Sequence, residues 1–422
     1  MPEWLEMEFE DEEDDDGGLE PPRDLRERRA PRRIWALPFF VLLAISALLA
    51  LGTTACSRFG VCVGVPPERR FTEPVLIQVG CDSSESLGAR RAGVKYKDVD
   101  GTEKDPLEIF KDHGYRWARL RVMVDPDGTH GLFQDIEYVK EMARDIVTVQ
   151  KMKLLLDFHY SHWWADRDNQ SMPTCWTSED TKQNVTLAML KDYVYNHTRS
   201  VMEVLRNQDT IPNAIQIGNE VNAGMLWELG RIQPDGDMEK FVKLTNTAVR
   251  AIQDSLPSTK PLPRIVIHLA AGGWTEFSED WFTNFTIAGG QYDIIGLSYN
   301  PLWHGTLANL QENMDNLRMV FPEKVVWIVE TAYYWRETND DSEHLTFSQT
   351  KDGQMEFLKA LRKVLELHSD GERETAAFYR GSHWTQPERW MNSNETWQEA
   401  ANRSLFDENA QALKAIDALV GV

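Results

Sequence analysis

Cysteine and basic residues are scarce in this sequence, and each shortage excludes a class of protein. The 422 residues include four cysteines, whose spacing fits no zinc site. Lysine and arginine number 45 against 67 aspartates and glutamates, so the formal net charge is -22. Because a phosphate backbone binds to a basic surface, a nucleic-acid partner is disfavoured.

A glycine-rich phosphate loop is also missing after the first β-branched segment, Leu76–Gly80. Dinucleotide-binding folds require such a loop at that position. An open, doubly wound sheet is therefore the weaker of the two α/β folds that the sequence allows.

One apolar run stands out in a chain that otherwise has few. Residues 34–55 are apolar and uncharged, and about 20 such residues span a bilayer as a helix. Only Arg58 follows this run closely, whereas six arginines precede it: Arg23, Arg26, Arg28, Arg29, Arg32 and Arg33. The positive-inside bias predicts a single-pass type II membrane protein with its main domain outside the cytosol. A cleaved signal peptide, and hence secretion, is the alternative.

The composition of the remaining segments predicts the other domain boundaries along the chain. Residues 1–33 are acidic and then arginine-rich, which predicts a disordered cytosolic tail. Residues 56–74 are interpreted as a stalk and residues 75–422 as one catalytic domain. Six Asn-x-Ser/Thr sequons follow the apolar run and none precede it, which favours a glycoprotein of the secretory pathway: Asn169, Asn184, Asn196, Asn284, Asn394 and Asn402.

The cysteines of an extracytosolic domain could form disulfides, and four of them allow three connectivities. Cys56 and Cys62 are close enough in sequence to bridge locally. Cys81 and Cys175 are favoured as a second pair, with unpaired thiols as the alternative.

From Val75 onward, short β-branched segments alternate with longer amphipathic segments. Eight such units predict a (β/α)8 barrel of the TIM type. The predicted strands are Leu76–Gly80, Trp117–Val122, Lys153–Asp157, Ala214–Gly218, Ile265–Leu269, Ile294–Ser298, Val325–Val329 and Thr375–Tyr379. The predicted helices include Asp135–Lys151, Gln183–Asn207, Met238–Leu256, Leu307–Val320, Lys351–Leu367 and Asn402–Leu419.

Ionisable residues are concentrated where the predicted strands end, which is where barrel enzymes carry their chemistry. Glu220 follows the fourth strand and Glu330 the seventh, so the two face each other across the barrel mouth. One carboxyl group of such a pair can protonate a glycosidic oxygen while the other attacks the anomeric carbon. Helix capping is the competing explanation for polar residues at strand ends.

Four segments carry a resemblance to a known family: LLLDFHYSHWWAD (154–166), QIGNEVNAGMLWELG (216–230), DIIGLSYNPLWHGTL (293–307) and VVWIVETAYYW (325–335). They resemble the endo-β-1,4-galactanases of glycoside hydrolase family 53, a clan A barrel family that hydrolyses arabinogalactan. The resemblance implies that Glu220 is the proton donor and Glu330 the nucleophile of a retaining enzyme. It also implies substrate-binding roles for Asn219, Arg119, Arg121, Asp157, His159, Asp166, Tyr299, Trp303, His304 and Trp384.

Individual roles follow from the same resemblance. Asn219 is expected to bind the sugar 2-hydroxyl, and Tyr299 to hydrogen-bond the nucleophile. Arg119 or Arg121 is expected to support the nucleophile as a fixed cation.

The sequence departs from the family pattern around the predicted catalytic pair. Ala270 and Ala271 replace two polar residues after the fifth strand, and the segment Arg380–His383 replaces part of a Tyr-Trp-Glu-Pro run after the eighth. Because lost hydrogen bonds to sugar hydroxyls change selectivity, a related β-glycanase of altered specificity is one alternative.

A catalytically inactive membrane glycan-binding protein is the other alternative. Neither a metal nor a cofactor is expected, because glycoside hydrolysis requires none. The Asn339–Asp341 stretch does not have the spacing of a calcium loop. The expected partners are a β-galactan or related cell-wall polysaccharide and the membrane, and the chain is expected to be monomeric.

Overall fold

The computed structural model describes residues 55–56, 62–63, 77–177, 184–338, 343–369, 374–389 and 400–421. The predicted cytosolic tail, the membrane segment before Ala55, most of the stalk, the Asn339–Asp341 turn and the Asn394 sequon lie outside the described residues. None of the helices within the described ranges is long and apolar enough to cross a membrane.

Eight parallel strands close into a barrel in sequence order, which confirms the predicted (β/α)8 architecture. Their bounds differ from the predicted ones by at most two residues. The strands are Ile77–Asp82 (β1), Trp117–Val122 (β2), Lys153–Phe158 (β3), Ala214–Ile217 (β4), Arg264–Leu269 (β5), Ile294–Tyr299 (β6), Val325–Thr331 (β7) and Thr375–Tyr379 (β8).

Helices follow the strands and cover the outside of the barrel. They are Ser86–Arg91 (α1), Pro106–Asp112 (α2), Ile136–Ala143 (α3), Leu187–Asn207 (α4), Glu239–Ser255 (α5), Thr275–Ile287 (α6), Pro301–His304 (α7), Leu307–Val320 (α8) and Lys351–Leu367 (α9). A π-helical segment, Arg144–Val149, continues α3. Side-chain caps fix several starts; Thr306, for example, forms a capping box at the start of α8.

The predicted helix Asn402–Leu419 is wrong. This segment contains one short 3-10 helix, Lys414–Asp417, and is otherwise held by tertiary contacts. Lys97 donates a backbone hydrogen bond to Ala410 and accepts one from Ala412, each 2.8 Å long. Pairing with a distant loop therefore overrides the local helical preference.

The barrel interior has an apolar layer near the amino-terminal ends of the strands. Trp117 and Trp327 contact each other edge to face, with ring centres 5.2 Å apart, and Phe378 packs against both. Gly80 makes room for this layer, because a Cβ there would lie 2.3 Å from the Phe378 ring. Side chains alternate along a strand, so the residues two positions further on form the next layer towards the carboxyl ends.

The favoured Cys81–Cys175 disulfide is wrong, since both thiols are free. Cys81 is fully buried in β1, whereas Cys175 is exposed in the 3-10 turn Thr174–Trp176, and that difference in depth prevents a bridge. In a separate compact unit, Cys56 is the register partner of Cys62 in a short antiparallel strand pair. Their disulfide stays a prediction.

A partly buried histidine joins the segment after α2 to the end of the chain. His113 contacts Asp417 through Nδ1 at 2.5 Å and Asp98 through Nε2 at 2.8 Å. Burial opposes protonation, but the two carboxylates outweigh it and raise the pKa of His113 above its usual value. These two contacts link the end of the chain to the barrel, and protonation of the ring strengthens them.

We predict that His113→Gln lowers the free energy of unfolding by about 1–3 kcal/mol at pH 5.5, because two charged hydrogen bonds are lost. A raised folded-state pKa stabilises the fold below the unfolded value near 6.5, and this stabilisation disappears as pH rises through the folded value. Denaturant unfolding at pH 5.5 and 9 should therefore show a smaller difference between variant and wild type at pH 9. Equal differences would assign the effect to ring packing instead.

Candidate active site

Polar residues form the layer above the apolar interior, at the carboxyl ends of the strands. Several of them lie two positions after an apolar interior residue of their own strand, as Arg119 follows Trp117 and Asp157 follows Leu155. Side chains alternate along each strand, so the strands that direct apolar residues into the lower barrel also direct these polar residues inward near their carboxyl ends.

Arg119 is the centre of this polar layer and is completely buried. Its guanidinium forms ion pairs with Asp82 (2.7 Å), Asp157 (2.9 Å) and Glu330 (2.8 Å). It also donates a 2.8 Å hydrogen bond to the Asn219 side-chain oxygen. Arg119 thus ties β1, β2, β3 and β7 to the loop after β4.

The loop after β4 adopts a conformation that few residues tolerate. Gly218 has φ +77°, and a Cβ there would lie 2.5 Å from the Val221 side chain, so glycine is required. Glu220 also lies in the left-handed region, with φ +47°. Such backbone strain costs a non-glycine residue on the order of 1–3 kcal/mol, and it aims this carboxyl group into the barrel mouth.

Glu220 lies in surroundings that keep its carboxyl group protonated near neutral pH. Burial, reinforced by the charge of Glu330, raises the pKa of Glu220 to about 8. Asp166 adds to this rise, while Ser298 and Arg380 oppose it. A carboxylic acid with such a pKa can deliver a proton to a leaving oxygen at neutral pH.

A chain of hydrogen bonds holds Glu220 from below. The Ser298 hydroxyl donates to Glu220 Oε1 at 2.5 Å and lies 2.8 Å from His268 Nε2. Burial lowers the pKa of His268 well below its usual value, so the ring is neutral. Its Nδ1 lies 3.1 Å from the Gln216 amide nitrogen and 3.0 Å from the Asn219 side-chain oxygen.

Glu330 lies opposite in a cationic setting. One carboxylate oxygen is 2.8 Å from Arg119, and the other is 3.1 Å from Nε of Arg380. A β-bulge in β7 is responsible for its direction: Leu297 and Ser298 of β6 pair with Ile328 and Glu330, so one residue of β7 is skipped. Two guanidiniums therefore contact this carboxylate and fix its orientation.

A cleft of about 440 Å³ opens over the two glutamates. Of the predicted site residues, it is lined by Glu220, Glu330, Tyr299, Trp303, His304 and Trp384. Sequence reasoning missed its other lining residues, which are Ser298, Asn300, Thr331, Ala332, Arg380 and Arg403. The structure therefore brings six of the twelve predicted residues to one surface.

Three more predicted residues lie in the polar layer below the cleft. Asn219 bonds Arg119 and also donates to the Ala165 carbonyl at 2.7 Å. His159 lies 3.1 Å from Asp157, and burial lowers its pKa. These contacts hold the base of the site in one arrangement.

Two predicted residues have surroundings that differ from the expected ones. The Tyr299 hydroxyl donates to the Gly305 carbonyl at 3.1 Å instead of to Glu330, because Ser298 takes the inward position on β6. Arg121 pairs with Glu85 at 2.7 Å and lies over the Trp164 ring, so Arg119 is the arginine of the two that contacts Glu330, the predicted nucleophile.

Asp166 and His304 lie at the sides of the site. Asp166 accepts hydrogen bonds from the backbone of Asp168 and Asn169, while burial raises its pKa. Burial, with a smaller contribution from Arg167, lowers the pKa of His304 to about 3. The His304 ring is therefore neutral, and its Nδ1 accepts from the Asn300 backbone at 3.0 Å.

The positions that depart from the family pattern have defined structural contacts. Ala270 is buried and exchanges two backbone hydrogen bonds with the Asn222 side chain. Trp384 donates to Glu85 and packs over Gly381, where a Cβ would lie 2.9 Å from the indole ring. Of this group, Arg380 reaches the catalytic pair.

The described residues contain no cluster of three or more His, Cys, Asp or Glu side chains arranged to hold a metal ion. What they do contain is a partly buried carboxyl group with a raised pKa after strand four, and a carboxyl group paired with two arginines on strand seven of the same barrel. Such a pair defines a glycoside hydrolase.

Comparison with known proteins agrees with this class. The family model described as glycosyl hydrolase family 53 matches residues 78–419. The chain belongs to glycosyl hydrolase family 53.

Individual proteins of this family are also similar to the chain in sequence and structure. An arabinogalactan endo-β-1,4-galactanase A from Aspergillus niger is 31% identical over 317 residues, which cover 71% of this chain and 84% of that protein. The Ignisphaera aggregans GH53 catalytic domain has a TM-score of 0.72 and 30% identity, covering 82% of this chain and 96% of that one. A fungal β-1,4-galactanase structure has a TM-score of 0.70 and 26% identity, with 82% and 100% coverage.

We predict that Ser298→Ala moves the alkaline limb of the kcat/KM pH profile to higher pH by roughly one pH unit, because the lost hydrogen bond stabilises ionised Glu220. The acid form of Glu220 is the active form, so a higher pKa extends activity upward in pH. Ser278→Ala is the matched control, since that buried hydroxyl donates to the Ala271 carbonyl. A shift to lower pH would contradict the assigned hydrogen bond.

Proposed function

We propose that this chain is a retaining endo-β-1,4-galactanase that acts by double displacement, with Glu220 as acid/base and Glu330 as nucleophile. The observation that carries the proposal is the contrast between the two carboxyl groups. Burial raises the pKa of Glu220 to about 8, whereas Glu330 lies against two guanidiniums. The named galactanase relatives support galactan as the substrate.

In the first step, Glu330 attacks the anomeric carbon while the glycosidic bond breaks. The Glu220 proton moves to the departing oxygen, so the leaving chain is released as an alcohol and Glu220 becomes a carboxylate. The new glycosyl ester carries no charge on Glu330, which removes the repulsion that helps to raise the pKa of Glu220.

The second step uses this change. Ionised Glu220 takes a proton from water, and the hydroxide oxygen attacks the anomeric carbon and displaces Glu330. Ser298 and neutral His268 hold Glu220 in place throughout, and Arg119 with Arg380 stabilises Glu330 as its charge returns. Two inversions give a product with the configuration of the substrate.

We predict that the soluble segment 73–422 releases oligosaccharides from β-1,4-galactan within a panel that includes arabinogalactan, mannan, xylan and β-glucans. Release of oligosaccharides from a different glycan, with no release by Glu330→Ala, would support hydrolase activity but contradict galactan as the substrate. If no oligosaccharide is released from any glycan of the panel but galactan still binds, a glycan-binding protein would be favoured instead.

We predict that Glu220→Ala and Glu330→Ala each lower kcat/KM by at least roughly a thousandfold. Azide, a small anion that occupies the vacated space, should rescue each variant on an aryl β-galactoside. Rescue of Glu330→Ala should give the α-azide and rescue of Glu220→Ala the β-azide, because azide attacks opposite faces. The surface change Glu279→Gln is the control. Identical azide products from both variants would overturn the assigned roles.

We also propose that residues 34–55 anchor the chain as a type II protein with the barrel outside the cytosol. The arginines before this run and the sequons after it support the orientation. Asn184, Asn196 and Asn284 are exposed on the barrel surface, where a glycan fits without disturbing the core.

For the full chain expressed in eukaryotic cells, peptide N-glycosidase should lower the apparent mass. Asn284→Gln should remove one of the mass steps, since this sequon is exposed on α6. Full protease sensitivity of the barrel in sealed microsomes, with no mass change, would place it in the cytosol.

A further inference from the structure

One arginine in the cleft has no anionic partner within the described ranges of the chain. Arg403 lines the same cleft as Glu330 and Trp303. Its guanidinium carbon lies 5.2 Å from the ring centres of both Trp303 and Tyr334. It forms no ion pair with any residue in the part of the chain that the structure describes, and its buried Nε has no hydrogen-bond partner there.

The other charges of the cleft are already balanced. Glu330 is neutralised by Arg119 and Arg380, at 2.8 and 3.1 Å. Glu220 carries no charge near neutral pH, since burial raises its pKa to about 8. Among the described residues, Arg403 is therefore a surplus positive charge in a partly dry site, where an unpaired ion is unfavourable unless a ligand supplies the counter-charge.

Arg403 is also presented in a way that suits recognition. Its backbone carbonyl accepts a 2.7 Å hydrogen bond from the Tyr379 hydroxyl at the end of β8, which fixes the residue to the barrel. Two aromatic rings flank its guanidinium, which restricts the side chain before any ligand binds. A planar guanidinium offers paired N–H groups that match a carboxylate, and the neighbouring rings suit the apolar face of a sugar.

We propose that the cleft accepts a β-glycan that carries a uronic acid, whose carboxylate binds Arg403 beside the scissile linkage. This inference rests on the proposed galactanase function and specifies its substrate class. The acidic sugar would lie against Trp303, so that the reacting neutral sugar remains over Glu220 and Glu330.

The test compares two β-1,4-linked galacto-oligosaccharides that differ at one sugar, which carries either a free carboxylate at C6 or its methyl ester. The ester keeps the shape and removes the charge. For the wild type, kcat/KM should be roughly tenfold or more higher for the acid, the usual size of a charged hydrogen bond. Raising the salt concentration should reduce this ratio.

In Arg403→Gln, the ratio of acid to ester should fall to about one. The matched control is Arg336→Gln, which removes an arginine that lies over Trp335 and pairs with Glu408 outside the cleft lining. That variant should keep the wild-type ratio. Thermal unfolding of both variants identifies any loss that arises from misfolding.

The outcomes separate this inference from the proposed function. Cleavage of galactan with equal rates on acid and ester would overturn the uronate inference and leave the galactanase intact. Cleavage of neither would overturn the proposed function, and calorimetric binding to Glu220→Gln would then decide the inference. Tighter binding of the acid, lost in a Glu220→Gln/Arg403→Gln double variant, would support it, whereas equal binding would overturn it.

Discussion

The ion pairs of Arg119 are the interaction on which the site depends. Three carboxylates and two amide oxygens, from five different strands or loops, meet at one buried guanidinium. Removing Arg119 would leave three carboxylates close together in the barrel without their shared cation, which is far more costly than losing a surface ion pair. The same residue thus connects strands of the barrel and holds Glu330 in position.

The two carboxyl groups proposed to be catalytic illustrate how one scaffold gives identical side chains different surroundings. Both lie at the mouth of the same barrel, yet Glu330 contacts two arginines while Glu220 contacts a neutral hydroxyl that is itself supported by a neutral histidine. The difference is one of surroundings, because the side chains are identical. Each carboxyl group also affects the other, so the protonation of the pair changes through the catalytic cycle.

Much of the barrel could be predicted from the sequence because alternation and β-branched segments mark its strands directly. Glu220 and Glu330 could also be placed, since each follows a strong strand signal. The orientation of Glu330 could not, because simple alternation from Trp327 would turn it away from the interior and only the β-bulge corrects this. The sequence does not give the register of β6, which decides whether Ser298 or Tyr299 points into the barrel. Arg403 does not follow a predicted strand, so its place in the cleft could not be predicted.

The C-terminal segment was mispredicted for a related reason. Its helical pattern is local, whereas its structure is set by pairing with residues some three hundred positions earlier in the chain. Local propensity contains no information about such a partner. Arg380 could not be predicted as a site residue for the same reason. It pairs with Glu330 in the folded structure, and its neighbours in sequence do not indicate this contact.

The left-handed backbone at Glu220 has a consequence for how this enzyme can change. A glycine or asparagine would relieve the strain at that position, so the residue that the proposed mechanism requires is not the residue that folding alone would select. Lineages released from the need to hydrolyse glycans would then gain stability by losing this acid first. Inactive descendants of such a barrel should therefore be recognisable by a small or amide residue there, even where Arg119 and its carboxylates persist.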